Sequence, residues 1–195
     1  MNKQENEFKI HKRSVLPGWI NRQTGIVLAV IFIIGFVIFG SGFKNLFIIG
    51  IWIILGSLSL FYKRFFEYRM GLEFVFPGTV LCAIAYGPVV GIIVGNVGNF
   101  MAELISARPD ERVIPAQIAY TITALIAQAV YAATLQNIFL AGMILWVIYH
   151  AVMQPMMIVF GGDLFKTVLF VSTHFVWSIV FFWRIAPFIL PLMTL

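Results

Sequence analysis

Polar side chains recur at helical spacing inside sequence that is otherwise apolar. In the stretch VVGIIVGNVGNFMAEL, residues 89–104, Asn96, Asn99 and Glu103 stand at i, i+3 and i+7, so a helix gathers them on one face. Two amides beside a carboxylate can satisfy one another between helices, or they can hold a small polar solute. Both readings are open from the spacing alone. The segments that follow carry matching faces. Gln117, Thr121 and Gln128 share one side of the stretch beginning near 114, with Tyr120 and Tyr131 at its edge. In the next, His150 and Gln154 are one turn apart and Trp146 is one turn earlier. The last brings His174, with Trp177 and Ser178 a turn further on. Any one of these residues is an ordinary packing residue. Converging from consecutive helices, they predict a solute pocket formed by Asn96, Asn99, Glu103, Gln117, Tyr120, Thr121, Gln128, Trp146, His150, Gln154 and His174.

A second stripe lies roughly a quarter turn from the amides. Gly91, Gly95, Gly98 and Ala102 fall within about 40° of Gly91, with Gly87 just before them. Small residues at this spacing let another helix approach closely, either within the molecule or from a partner protein. Motifs of hydrolytic or phosphoryl-transfer chemistry are missing: the chain has no His-Glu-x-x-His, no Gly-x-Ser-x-Gly and no Walker sequence. The histidines are isolated in sequence, so no metal and no cofactor is expected, and the reading is of a protein that is not an enzyme. The single cysteine, Cys82, excludes an internal disulfide.

The elements that must position these residues are membrane helices. The 195-residue chain is 61% hydrophobic and 11% charged, with a mean hydropathy of +0.97. Soluble domains are roughly 45–50% apolar and 25% charged. The fold class is therefore all-α, a polytopic integral membrane bundle of six or seven transmembrane helices. Spans are expected at 25–43 and 45–62, joined by a tight turn at Lys44. A basic loop, KRFFEYRMGLE, follows. The segment 72–86 is only about 22 Å long at ~1.5 Å per residue and ends at Gly87-Pro88, so with 89–105 it forms a broken or re-entrant hairpin at about 72–105. Further spans are expected at about 114–135, 138–160 and 167–185, with Pro187 and Pro191 breaking the terminal stretch.

Residues 25–195 thus read as one transmembrane domain, preceded by a basic cytoplasmic tail, 1–24, that lacks the apolar core of a cleaved signal peptide. The orientation comes from the distribution of basic residues. Lys3, Lys9, Lys12, Arg13, Arg22, Lys63, Arg64, Arg69, Arg108, Arg112 and Lys166 fall on one side, against Lys44 and Arg184 on the other. The net charge of +5 is accordingly read as membrane topology and attraction to anionic lipid, not as nucleic-acid binding.

The stretch LEFVFPGTVLCAIAYGPVVGIIVGNVGNFMAELI, with GGDLFKTVLFVSTHFVWSIVFFWR near the end, resembles the substrate-binding S components of energy-coupling factor (ECF) vitamin transporters over about residues 45–185. Gly87-Pro88, Gly91 and Gly95 stand where that family has a Gly-Pro turn and a glycine-bearing helix. The resemblance implies a six-helix core that binds a vitamin-like small molecule near its outer face for uptake. It also implies coupling to a transmembrane T subunit and two ATPases, the chain itself hydrolysing nothing. This topology places KRFFEYRM and SARPDER outside, whereas the charge count places them inside. The alternative function is a membrane sensor or scaffold that binds partner membrane proteins through the glycine stripe.

Overall fold

A computed structural model describes residues 22–66, 69–107 and 112–194. The protein is an all-helical polytopic membrane bundle, and the described residues contain no strand. Its helices are α1 (Arg22–Ser59), α2 (Val75–Tyr86), α3 (Pro88–Ser106), α4 (Val113–Ala133), α5 (Ile138–Val159), α6 (Leu164–Val180) and α7 (Ala186–Thr194). Five stretches are long and apolar enough to cross a membrane: Gly42–Arg64, Pro88–Ser106, Val113–Ala133, Ile138–Val159 and Leu164–Thr194. Most of residues 1–24 and the loop cation Arg108 lie outside the described residues.

The chain divides into two compact units, Met1–Lys44 and Asn45–Leu195. In the first, the described part is helical from Arg22 and exposes Ile26, Leu28, Ile31 and Ile33. The break in α1 falls at Gly40 (φ 49, ψ −122) and not at the expected Lys44. Glycine enters left-handed backbone without the β-carbon clash that lysine would meet there.

In the second unit, α2 is the centre. Nine of its twelve residues, Val75 through Ala83, are buried, and α3, α4, α5 and α7 all pack on it. Enclosed by other helices, it need not match the bilayer thickness, which accounts for its short length. The expected hairpin is present. Gly87 (φ 99) makes the turn and Pro88 opens α3, where its missing N–H costs no hydrogen bond. The glycine stripe of α3 faces inward onto α2: a β-carbon on Gly91 would lie 2.5 Å from Ala83 Cβ and 2.9 Å from the Thr79 carbonyl oxygen. One on Gly95 would lie 2.5 Å from Thr79 Oγ1 and 3.0 Å from Tyr120 Cβ. Ala102 is buried as well.

The end of the chain departs from expectation. Pro187 and Pro191 do not break the helix, which continues to Thr194. A π turn at Phe181–Ile185 precedes the first proline, with the Ala186 N–H donating to the Phe181 carbonyl. Widening the helix there accommodates a residue that has no N–H to give. The same turn lays Phe182 against Gly142 of α5, where a β-carbon would overlap the ring.

Helix contact at α2–α3 therefore depends on the absence of side chains. Gly91→Ala is expected to cost about 1–3 kcal/mol through overpacking, whereas Gly98→Ala, whose nearest neighbour is Val75 Cγ1 at 3.9 Å, is expected to be nearly neutral. Unfolding of both variants in mixed micelles measures the difference.

Candidate functional site

The polar interior is organised by the connection between α1 and α2, which the sequence presents as a solvated basic loop. A 3-10 turn at Phe61–Arg64 closes onto the end of α3: Lys63 Nζ lies 2.7 Å from Glu103 Oε2, and Arg64 Nε donates to the Ile105 carbonyl at 2.8 Å. The chain then folds back into the bundle. Tyr62 pins it at Met70, its hydroxyl accepting from the Met70 N–H at 2.7 Å and donating to the Met70 carbonyl. Gly71 donates its N–H to Thr173 Oγ1 at 2.7 Å and lies directly against the backbone of His174, where a β-carbon would overlap it.

This path carries Arg69 and Glu73 inside. The Arg69 guanidinium bonds Glu103 Oε1 at 2.9 Å and Glu73 Oε2 at 2.8 Å, and reaches Asn99 Oδ1 at 3.5 Å. Glu73 Oε1 accepts from the Tyr120 hydroxyl at 2.6 Å, and its main-chain carbonyl accepts from Trp177 Nε1 at 2.8 Å. Glu73 and Asn99 are 0% exposed, Arg69 and Glu103 3%, and Lys63 5%. Removing an ion from water costs several kcal/mol unless counter-ions and hydrogen bonds replace the solvent. Here both oxygens of each carboxylate are engaged. Arg112, also buried, lies 5.4 Å from the Phe170 ring, as does Arg69.

A second group adjoins the first. His150 Nε2 and His174 Nδ1 are 2.9 Å apart, and Gln154 Nε2 is 2.8 Å from His150 Nδ1. Trp146 packs on His150 with ring centroids 4.5 Å apart. Two aromatic links join this group to the ionic one: Tyr149 stacks on Tyr120 at 5.0 Å, and Phe170 lies 5.4 Å from His174. Around these groups, buried polar atoms are left over. Asn99 Nδ2, Thr123 Oγ1, His174 Nε2 and Ser178 Oγ have no hydrogen-bond partner among the described residues. Each such atom is costly in a helical interior unless something else meets it. An open recess of about 170 Å3, bordered by Phe100, Glu103, Leu104, Ala107 and Val113, reaches the edge of the ionic group.

Of the residues expected to form a pocket, Asn99, Glu103, Tyr120, Trp146, His150, Gln154 and His174 fall in or beside these two groups. Four do not. Asn96 Nδ2 donates to Thr121 Oγ1 at 3.0 Å, Thr121 to the Gln117 carbonyl at 2.8 Å, and Gln117 Nε2 to the Asn96 carbonyl at 3.4 Å. This is a half-buried strap between α3 and α4. Gln128 is exposed and donates to the Ile84 carbonyl at 3.3 Å, near the end of α2. Glu103 is buried against Lys63 and Arg69. The sequence reading missed Lys63, Arg69, Glu73 and Arg112 as interior groups. The available signal was Arg69 and Glu73, opposite charges four residues apart around Gly71, immediately before the most buried helix.

Among the described residues no group of three His, Cys, Asp or Glu side chains is placed to hold a metal ion. No protein-family model, curated protein or solved structure matches the chain.

Because Glu103 answers both Lys63 and Arg69, deleting its carboxylate takes a counter-ion from two buried cations. Glu103→Ala is expected to destabilise the protein by about 3–5 kcal/mol, read as a lower thermal unfolding midpoint in nanodiscs. The half-buried Gln117→Ala is expected to cost about 1 kcal/mol or less.

Proposed function

We propose that the chain is a membrane-embedded solute-binding protein serving uptake, in the manner of an ECF S component, with the two polar groups as walls of its binding chamber. One observation carries this reading. A loop that could have remained in water is drawn into a membrane bundle, bringing a guanidinium and a carboxylate with it, and unmatched polar atoms of α3 and α6 lie beside it. Ionisable groups inside membrane proteins are expensive, and their usual role is to meet a solute or an ion. An arrangement serving stability alone leaves few buried donors or acceptors unanswered.

Three of the cations counted as solvated loop charge, Lys63, Arg69 and Arg112, belong to this chamber. The charge asymmetry therefore weighs less against an outward-facing chamber than the sequence count implies. The chain supplies binding, and energy comes from elsewhere. Under the resemblance, a transmembrane coupling subunit and ATPases provide it. Partner binding through the glycine stripe draws no comparable support, since Gly91 and Gly95 are filled by α2.

Native mass spectrometry of the protein, purified gently from its host membranes, tests the proposal. It is expected to reveal a retained small molecule and, under the S-component reading, co-purifying ATPase subunits. Asn99→Leu is expected to weaken retention about ten- to a hundredfold, the equivalent of a lost buried hydrogen bond of about 1–3 kcal/mol. An empty wild-type protein, or unaltered retention by a folded Asn99→Leu variant, would count against the chamber.

A further inference from the structure

The chain of hydrogen bonds between α5 and α6 ends on an atom without a partner, and one amide sets its polarity. Gln154 Nε2 meets His150 Nδ1, and His150 Nε2 meets His174 Nδ1, at 2.8 and 2.9 Å. His174 is fully buried, and its remaining nitrogen, Nε2, has neither donor nor acceptor beside it among the described residues. Two neutral imidazoles complete this chain in two ways. With the Gln154 amide N–H donating to His150 Nδ1, His150 carries its proton on Nε2 and donates it to His174 Nδ1. His174 then presents an N–H at Nε2. With the amide reversed, its oxygen accepts from His150 Nδ1–H, the protons sit on the opposite nitrogens, and His174 Nε2 presents a lone pair. The terminal atom therefore serves as donor or acceptor, and in either state it lacks a partner.

The surroundings narrow what that partner is. Phe76 and Phe170 flank the His174 ring at 5.1 and 5.4 Å and offer no hydrogen bond. A metal ion is poorly matched, because the facing nitrogens of the two histidines are occupied by one another. Glu73 and Glu103 already have both oxygens engaged by Arg69, Lys63 and Tyr120, and those two cations are paired with the same carboxylates, so neither an incoming cation nor an incoming anion finds an uncommitted counter-ion in this group. Asn99 adds a donor of fixed sense, since its oxygen faces the guanidinium and its amide nitrogen is left over.

We propose that His174 Nε2 contacts an uncharged hydrogen-bonding group of a small organic solute without net charge, such as a hydroxyl, an amide or a ring nitrogen. His150 and Gln154 are positioning residues that adapt the polarity of that contact. The proposal rests on the solute-binding reading and adds the class of solute and the atom that recognises it.

The test uses the full chain in lipid nanodiscs with isotope-labelled histidine. The probes are small-molecule extracts of host cells, separated by ion exchange into anionic, cationic and uncharged fractions. Native mass spectrometry reports whether anything binds, and NMR of the imidazole nitrogens reports where. The uncharged fraction is expected to leave a bound molecule and to shift the His174 Nε2 resonance. His174→Phe is expected to reduce affinity about tenfold or more. Should that variant fail to fold, the half-buried Gln154→Leu serves instead. It is expected to mix the two tautomers of His174 and to weaken binding by about threefold. Binding from a charged fraction only overturns this inference and leaves the chamber standing. So does binding of an uncharged molecule with the His174 resonance and the Gln154→Leu affinity unchanged. Binding from no fraction overturns the chamber, and this inference with it.

Discussion

A guanidinium inside a membrane bundle must find its counter-ions within reach, and Arg69 finds them on two separate elements. Glu73 comes from its own loop, Glu103 from α3, and Asn99 adds a longer contact. Each partner is in turn committed elsewhere, and the arrangement of the bundle follows. Glu103 also receives Lys63, which fixes the turn after α1. Glu73 accepts from Tyr120, which seats α4, and Tyr120 stacks on Tyr149 of α5. The Glu73 carbonyl takes Trp177, which brings in α6. In a low-dielectric interior none of these contacts can be exchanged for water, so one buried charge constrains five helices.

Such close convergence needs room, and the room comes from small residues. Gly71 lets the inserted loop lie against the backbone of α6, and Gly91 and Gly95 let α3 close onto α2. The glycines beside the amides on α3 thus serve the same end as the amides: they bring the α3 backbone near enough for Asn99 and Glu103 to reach the loop. The shortness of α2 follows from this. A helix enclosed by α3, α4, α5 and α7, with the loop across its start, is screened from lipid along most of its length.

Much of the fold is legible in the sequence because apolar run length and Gly-Pro punctuation are local signals. The hairpin at Gly87-Pro88 and the spans α3, α4 and α5 stand within a residue or two of expectation. The break at Gly40 and the continuation through Pro187 were misjudged because backbone tolerance there depends on context, notably the π turn ahead of the proline. The site was half legible. Asn99, Glu103, Tyr120, His150 and His174 announce themselves as polar residues in apolar helices. Arg69 and Glu73 do not, because a charged loop reads as solvated unless its tertiary contacts are known. Asn96 shows the opposite error: it lies near Asn99 on the helical wheel, yet turns far enough toward α4 to be taken up by Thr121.

The contrast between the two polar groups is what gives the interior a direction. In the charged group each carboxylate oxygen is answered, while Asn99, His174 and Ser178 keep unmatched atoms. Asn99 belongs to both, with its oxygen on Arg69 at the long end of hydrogen-bond range and its nitrogen unanswered. A solute that accepts from that nitrogen would hold the amide in the orientation that serves Arg69. By the reciprocity of linked equilibria, a loop held in place by Arg69 would favour the solute in equal measure. On the solute-binding reading proposed above, occupancy and the placement of Arg69 would then be linked through the Asn99 side chain.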